Sequence, residues 1–271
     1  MEKEYLFAPQ WQDSDKTNEL YDGSQALKKY FASLSENQIY EVLIDPVSVI
    51  KLENDIYGYA VIADQLLRIK DNLEHHNPDK LATLGGGCGI EVPIVSYLSG
   101  KYSNLQVFWF DAHGDLNSPQ SSPSKYFHGM PLRFITEQQR NTIGDIFKTI
   151  PCKNVHLIGS RDLDDPEQAY ITESNMHVIG LDNDYWRALN NHISQKTQAY
   201  IHIDLDVIDP QEYKNVKCPV KNGMSINDLV RSVQLIIKSM NVVGMSVVEN
   251  IEQDINKIKV LRPLLEELIK L

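Results

Sequence analysis

Residues 105–117 read Leu105-Gln106-Val107-Phe108-Trp109-Phe110-Asp111-Ala112-His113-Gly114-Asp115-Leu116-Asn117. The run 105–110 carries large apolar side chains on both parities, as expected of a strand covered on both faces. It then gives way to a carboxylate, an imidazole and a second carboxylate at i, i+2 and i+4. Where a strand unwinds, a period of two turns all three side chains to one side. A single Asp after a strand is ordinarily a cap or turn residue. Three ligand-type groups beside a dry strand would repel one another and carry a heavy burial cost, and a divalent cation resolves both problems. Asp111, His113 and Asp115 are therefore read as a metal-binding segment.

Similar apolar runs occur at 81–84, 155–158, 177–179, 199–205 and 242–248, and they alternate with amphipathic stretches at 59–73, 91–98, 132–147, 185–194, 226–240 and 256–270. Ser225, with Asp228 three residues on, marks a helix start. This alternation predicts an α/β fold, a mostly parallel sheet with helices on both faces. There is no repeat, low-complexity tract or linker, so residues 1–271 are read as one domain. Residues 1–55 are less regular and receive no elements. In such sheets ligands sit beyond the carboxyl ends of the strands, where the loaded residues fall.

The run 199–205 ends the same way, in Tyr200-Ile201-His202-Ile203-Asp204-Leu205-Asp206-Val207-Ile208-Asp209-Pro210. Asp204 and Asp206 share a parity and are assigned to the same cation. Asp209, before a proline, reads as a turn former. His202 shares that parity one step deeper and reads as a satisfied core histidine.

Composition narrows the function classes. With 26 basic and 37 acidic residues in 271, the formal charge is −11, which argues against a nucleic-acid or anionic-membrane surface. No apolar run approaches the roughly 18–20 residues needed to span a bilayer. The N-terminal Met1-Glu2-Lys3-Glu4-Tyr5 has no apolar leader pattern, so a cytoplasmic protein is expected. Cys88, Cys152 and Cys218 are odd in number and widely spaced, which fits a reducing compartment with at least two thiols in the core.

The segments DAHGDLN (111–117), FHGMP (127–131) and IHIDLDVIDP (201–210) together resemble the metal-binding signatures of the ureohydrolase family: arginases, agmatinases and formimidoylglutamases. The resemblance runs in consistent order from about residue 81 to 249. It implies a three-layer α/β/α sandwich around a parallel eight-stranded sheet, in a homo-oligomer (trimer or hexamer). It also implies two Mn²⁺ ions bridged by a hydroxide that attacks a guanidinium carbon. By the same resemblance Asp111 and Asp204 would bridge the ions, His113 and Asp206 would complete one site, and Asp115 would serve the other. His128 matches the proton-shuttling histidine, and Glu249 the acid that receives the guanidinium.

These assignments are chemically coherent. Guanidinium is resonance-stabilised, so its hydrolysis needs hydroxide at neutral pH, which bound cations supply. The leaving nitrogen needs a proton, which an imidazole near its own pKa can give. A carboxylate facing the planar cation orients it through paired hydrogen bonds. Oxygen and imidazole donors suit Mn²⁺. Asn117 and Ser124 stand where arginases contact the substrate α-carboxylate. Gly159-Ser160-Arg161-Asp162-Leu163-Asp164 resembles the arginase segment whose second acid holds the α-ammonium, placing Asp164 and Glu167 in that pocket. The expected substrate is a small guanidino or amidino compound, an amino acid such as L-arginine, hydrolysed to release urea.

Two departures stand against this. The family's first ligand is the His of a GGDH motif, whereas this chain has Gly85-Gly86-Gly87-Cys88-Gly89. Three outcomes stay open: Cys88 binds a softer ion such as Zn²⁺ as thiolate, the first site is weak or empty, or water stands in. In place of a GTP turn the chain has Lys217-Cys218-Pro219. The alternative function is therefore a catalytically weakened relative serving as a binding or regulatory subunit.

Overall fold

The computed structural model describes residues 2–14, 16–193 and 197–271. Its main sheet holds eight strands: β1 (Lys3–Ala8), β2 (Ile39–Glu41), β5 (Lys80–Gly85), β6 (Gln106–Phe110), β7 (Val155–Ile158), β8 (His177–Ile179), β9 (Gln198–Asp204) and β10 (Asn241–Val248). A two-stranded hairpin, β3 (Leu52–Glu53) and β4 (Ile56–Tyr57), lies apart. The main sheet runs β2-β1-β5-β10-β9-β6-β7-β8, and every pairing in it is parallel. The helices are α1 (Glu19–Ala32), α2 (Tyr59–His76), α3 (Glu91–Lys101), α4 (Pro131–Thr136), α5 (Asp165–Ser174), α6 (Tyr185–His192), α7 (Ile226–Ser239), α8 (Ile255–Ile258) and α9 (Arg262–Lys270).

Alternation along the strands builds the three layers. Phe108 and Phe110 of β6, Ile201 and Ile203 of β9 and Met245 and Val247 of β10 pack on one face, under α1, α6, α7 and α9. Val107 and Trp109, Tyr200, and Val243 and Val248 pack on the other, under α2, α3 and α4. Each fully buried large side chain contributes roughly 1.5–3 kcal/mol, so neither face tolerates a wet side. This is why the strands read as unbroken apolar runs.

The six strands expected from the sequence all form, and the expected sandwich is the architecture. The differences lie elsewhere. β1, β2 and α1 arise in the region given no elements. The expected helix 132–147 stops at Thr136, because Glu137 is extended and Asn141 is left-handed, and the remainder is a short 3-10 turn, Ile143–Ile146. The expected helix 256–270 is broken by the 3-10 turn Lys259–Leu261 before Pro263, which sits in the first turn of α9 and cannot donate to a preceding carbonyl. The stretch 185–194 is helical to His192, and Ser194 lies outside the described residues. Ser225 caps α7, accepting from Asp228 N at 3.0 Å. Of the three thiols only Cys88 is buried; Cys152 is half-buried and Cys218 exposed. Among the described residues no helix is long and apolar enough to cross a membrane.

Candidate metal centre

The central strands β5, β10, β9 and β6 lie side by side, and their carboxyl ends deliver a dense set of acids. Asp111 follows β6, fully buried; its Oδ2 accepts from Trp109 Nε1 at 3.0 Å and its Oδ1 from His113 N at 2.7 Å. Asp206 Oδ1 accepts from Ala112 N at 2.9 Å, and Asp204 Oδ1 accepts from Asp206 N at 2.8 Å. His113 Nδ1 stands 2.8 Å from Asp206 Oδ2 and 3.6 Å from Asp111 Oδ1. One ligand atom each of Asp111, His113 and Asp206 lies within 4.8 Å of the other two. The same holds for Cys88, Asp204 and Glu249, and for Cys88, Asp111 and His202. Asp111 and His113 after β6 thus meet Asp206 after β9, whereas Asp204 groups with Cys88 and Glu249, and Asp115 joins none of these groups among the described residues.

Electrostatics shows what a cation would relieve here. Burial pushes Asp115, Asp204 and Glu249 well above the usual carboxylate range, and nearby acids add to it: Asp111 for Asp115, Asp206 for Asp204, Asp13 for Glu249. Asp206 is raised by burial and by Asp111 to about 6. Burial works against a charged His113, yet hydrogen bonds and attraction from Asp111 and Asp206 hold it up to about 12. Asp115 Oδ2 and Glu249 Oε2 are buried without a hydrogen-bond partner. Such buried acceptors are costly unless a positive charge serves them. Asp115 and Glu249 also hold left-handed backbone, at φ 53° and 69°. Strain of this kind, about 1–3 kcal/mol each, clusters where function demands a fixed side-chain direction.

The remaining expected residues lie on the loops and turns that follow these strands. Asp164 caps α5 by accepting from Glu167 N at 3.0 Å, and Glu167 Oε2 accepts from Asp164 N at 3.1 Å, a reciprocal capping box. Glu167 Oε1 also accepts from Leu116 N at 3.1 Å. Asn117, Asp164 and Glu167 are therefore assembled together, joining the loop after β6 to α5. Ser124 is exposed and bonds within its own turn, accepting from Tyr126 N at 3.3 Å. His128 sits in the 3-10 turn Phe127–Gly129, its N–H donating to Asp13 O at 3.0 Å. Asp209 is a turn former, accepting from Gln211 N at 2.9 Å and Gly223 N at 3.0 Å.

Two residues of this region were not read from the sequence. Asp13, after β1, accepts from Gly89 N at 3.1 Å, and a Cβ on Gly87 would lie 2.2 Å from its Oδ2. Its carboxylate thus fills the space where the family's motif carries an Asp. Arg161 donates to the carbonyls of Asp206, Val220, Gly159 and Lys221, clamping the 217–222 turn against the end of β9. The family segment quoted around it was the only signal, and Asp13 lies in the stretch that gave none.

The family model described as the Arginase family matches residues 21–258. The chain belongs to the arginase family. Within it, the chain is similar to the arginase of Staphylococcus aureus (strain MRSA252), 31% identical over 232 residues, covering 80% of this chain and 76% of that one. It also resembles the arginase of Bacillus subtilis (strain 168), 34% identical over 156 residues, where the match spans 54% of this chain and about half, 52%, of that relative. Among solved structures, Entamoeba histolytica arginase in complex with L-ornithine superposes with a TM-score of 0.84 at 22% identity, covering 98% of both chains. At that identity the likeness speaks for the fold, and the arginase-family sandwich is the fold described above.

Proposed function

We propose that the protein is a metal-dependent hydrolase of a guanidino compound, with an amino acid such as L-arginine as substrate and urea as product. The observation that carries this reading is that Asp111 and His113 after β6 and Asp206 after β9 bring ligand atoms within 4.8 Å of one another, beside a second group of Cys88, Asp204 and Glu249. The first of these donor sets, of hard oxygens and one imidazole, fits Mn²⁺, and the unpartnered oxygen of Asp115 is an acceptor such an ion would satisfy. When bound, the metal supplies hydroxide from water at neutral pH.

The chain's own groups divide the remaining work. Glu249 would receive the guanidinium, its direction fixed by a left-handed backbone and by Cys88 N, which donates to Glu249 Oε1 at 3.2 Å. His128 would hold the proton for the departing amine. Asn117 and Asp164, tied to each other, would receive the amino-acid end, which favours L-arginine over its decarboxylated analogue agmatine. The chain's similarity to proteins named arginase supports this reading. By the same reasoning we infer a homo-oligomer, a trimer or hexamer, which sedimentation tests directly.

The deciding experiment is product release by the Mn²⁺-loaded protein in parallel assays, urea from L-arginine and from agmatine and formamide from formimidoylglutamate. Turnover of L-arginine with agmatine at least ten-fold poorer is expected. No hydrolysis of any of the three, with Mn²⁺ bound, would favour the alternative of a binding or regulatory subunit, to which the replacement of the first-ligand histidine by Cys88 points.

A further inference from the structure

Cys88 occupies the place of the family's first histidine ligand, yet an imidazole reaches the same point from another strand. His202 of β9 is fully buried, its ring stacked on Trp109 with centroids 3.7 Å apart. Its Nε2 stands 3.7 Å from Cys88 Sγ, and Cys88 Sγ stands 3.3 Å from Asp204 Oδ2. Two donors held tetrahedrally on one Zn²⁺, with metal–sulfur near 2.3 Å and metal–nitrogen near 2.0 Å, lie about 3.5 Å apart. Sulfur and imidazole are thus already at coordination spacing. Asp111 offers a third donor within 4.8 Å of both.

Behind His202 stands a second shell. Its Nδ1 is 3.1 Å from Glu91 Oε1 and 3.4 Å from Ser246 Oγ, and Glu91 Oε2 accepts from Tyr200 OH at 2.5 Å. Glu91, Tyr200 and Ser246 are all buried. A ligating histidine commonly gives its far N–H to a carboxylate, which fixes the tautomer and turns the other nitrogen's lone pair toward the metal. A core histidine needs no such chain behind it. One aimed at a thiol, with a carboxylate at its back, has the geometry of a ligand.

We propose that Cys88 and His202, with carboxylate from Asp111 and Asp204, form a metal site selective for a borderline-soft divalent ion of the Zn²⁺ type over Mn²⁺, the imidazole lost at position 88 being resupplied from β9. This rests on the reading of the acidic cluster as a metal centre and changes the identity of one of its ions. Binding exchanges the Cys88 Sγ–H proton, released to solvent, for a metal–sulfur bond, and no redox change is involved. A thiolate ligand makes the site prefer soft ions, while the site around His113, with oxygen and nitrogen donors only, keeps its preference for Mn²⁺. Glu91 is a positioning residue.

The test is titration of the full chain, freed of metal, with Co²⁺, followed by absorption spectroscopy. The expected result is a near-ultraviolet sulfur-to-cobalt charge-transfer band together with the visible bands of a low-coordinate ion. Equimolar Zn²⁺ abolishes the band, and a ten-fold excess of Mn²⁺ does not. Cys152→Ser with Cys218→Ser retains the band, Cys88→Ser loses it, and Glu91→Gln retains it with affinity about 10–100-fold weaker. The wild-type spectrum needs no variant to fold. Bound Co²⁺ without a charge-transfer band overturns this proposal and leaves the hydrolase reading standing. No bound Co²⁺ and no bound Mn²⁺ overturns both.

Discussion

Asn117 Nδ2 donates to Asp164 Oδ2 at 2.7 Å, so the loop leaving β6 and the first turn of α5 share one carboxylate. Asp164 therefore does two jobs, capping the helix and presenting the loop. Asp164→Ala should cost about 1 kcal/mol through the lost cap and raise KM for L-arginine at least ten-fold. Urea denaturation and steady-state urea release measure the two effects. A stability loss with KM unchanged would reduce Asp164 to a cap.

The buried acids repel one another, so removing one should help the metal-free chain. Asp204→Asn is expected to raise the Tm of chelator-treated protein while eliminating the rise that Mn²⁺ gives the wild type. The corresponding stabilisation of the wild type should approach about 2.7 kcal/mol at a metal concentration 100-fold above Kd. Scanning calorimetry with and without Mn²⁺ decides it, and a variant stabilised by Mn²⁺ as strongly as the wild type would contradict the assignment.

His156 predicts the acid limit. Burial, together with His177 and His192, lowers its pKa from 6.5 to about 3, and its ring stacks on Phe108 with centroids 4.5 Å apart. Between those values the unfolded chain holds a proton on His156 that the folded chain does not. Its contribution to stability is thus complete above about pH 6.5 and is lost as pH falls toward 3, at about 1.4 kcal/mol per pH unit. His156→Phe should flatten the stability profile between pH 6.5 and 4. An unchanged slope would place the acid sensitivity elsewhere.

Gly87→Asp, the change that restores the family's motif at that position, should destabilise the chain by several kcal/mol, since its Cβ would meet Asp13 Oδ2 at 2.2 Å. Adding Asp13→Gly should recover most of that loss. If Gly87→Asp alone proves neutral by chemical denaturation, the Asp13 carboxylate is not holding that space.

Legibility in the sequence followed the physics of each segment. β6 and the acids after it could be read because a dry strand and a period-two row of ligands are both local patterns. α5 was not read, since Asp165–Ser174 has no apolar stripe, although its capping box of Asp164 with Glu167 is local; only the ties of those two acids to Leu116 and Asn117 reach another loop. β2 is a three-residue strand at the edge of the sheet, and β1, beside it, was hidden with it in a stretch whose pattern is less regular. His202 carried the right parity, but its approach to Cys88 spans 114 residues and exists only when β9 and the turn after β5 stand together. Asp13 is 76 residues from the glycine whose N–H it accepts.

That last pairing has a consequence for the chain's history. With a carboxylate from the first loop lodged where a side chain on residue 87 would sit, positions 13 and 87 are linked, since a larger residue at 87 needs a smaller one at 13. Residues 13 and 87 should therefore change as a pair among descendants of this lineage, Asp with Gly in some and a small residue with Asp in others. Mixed combinations should be rare.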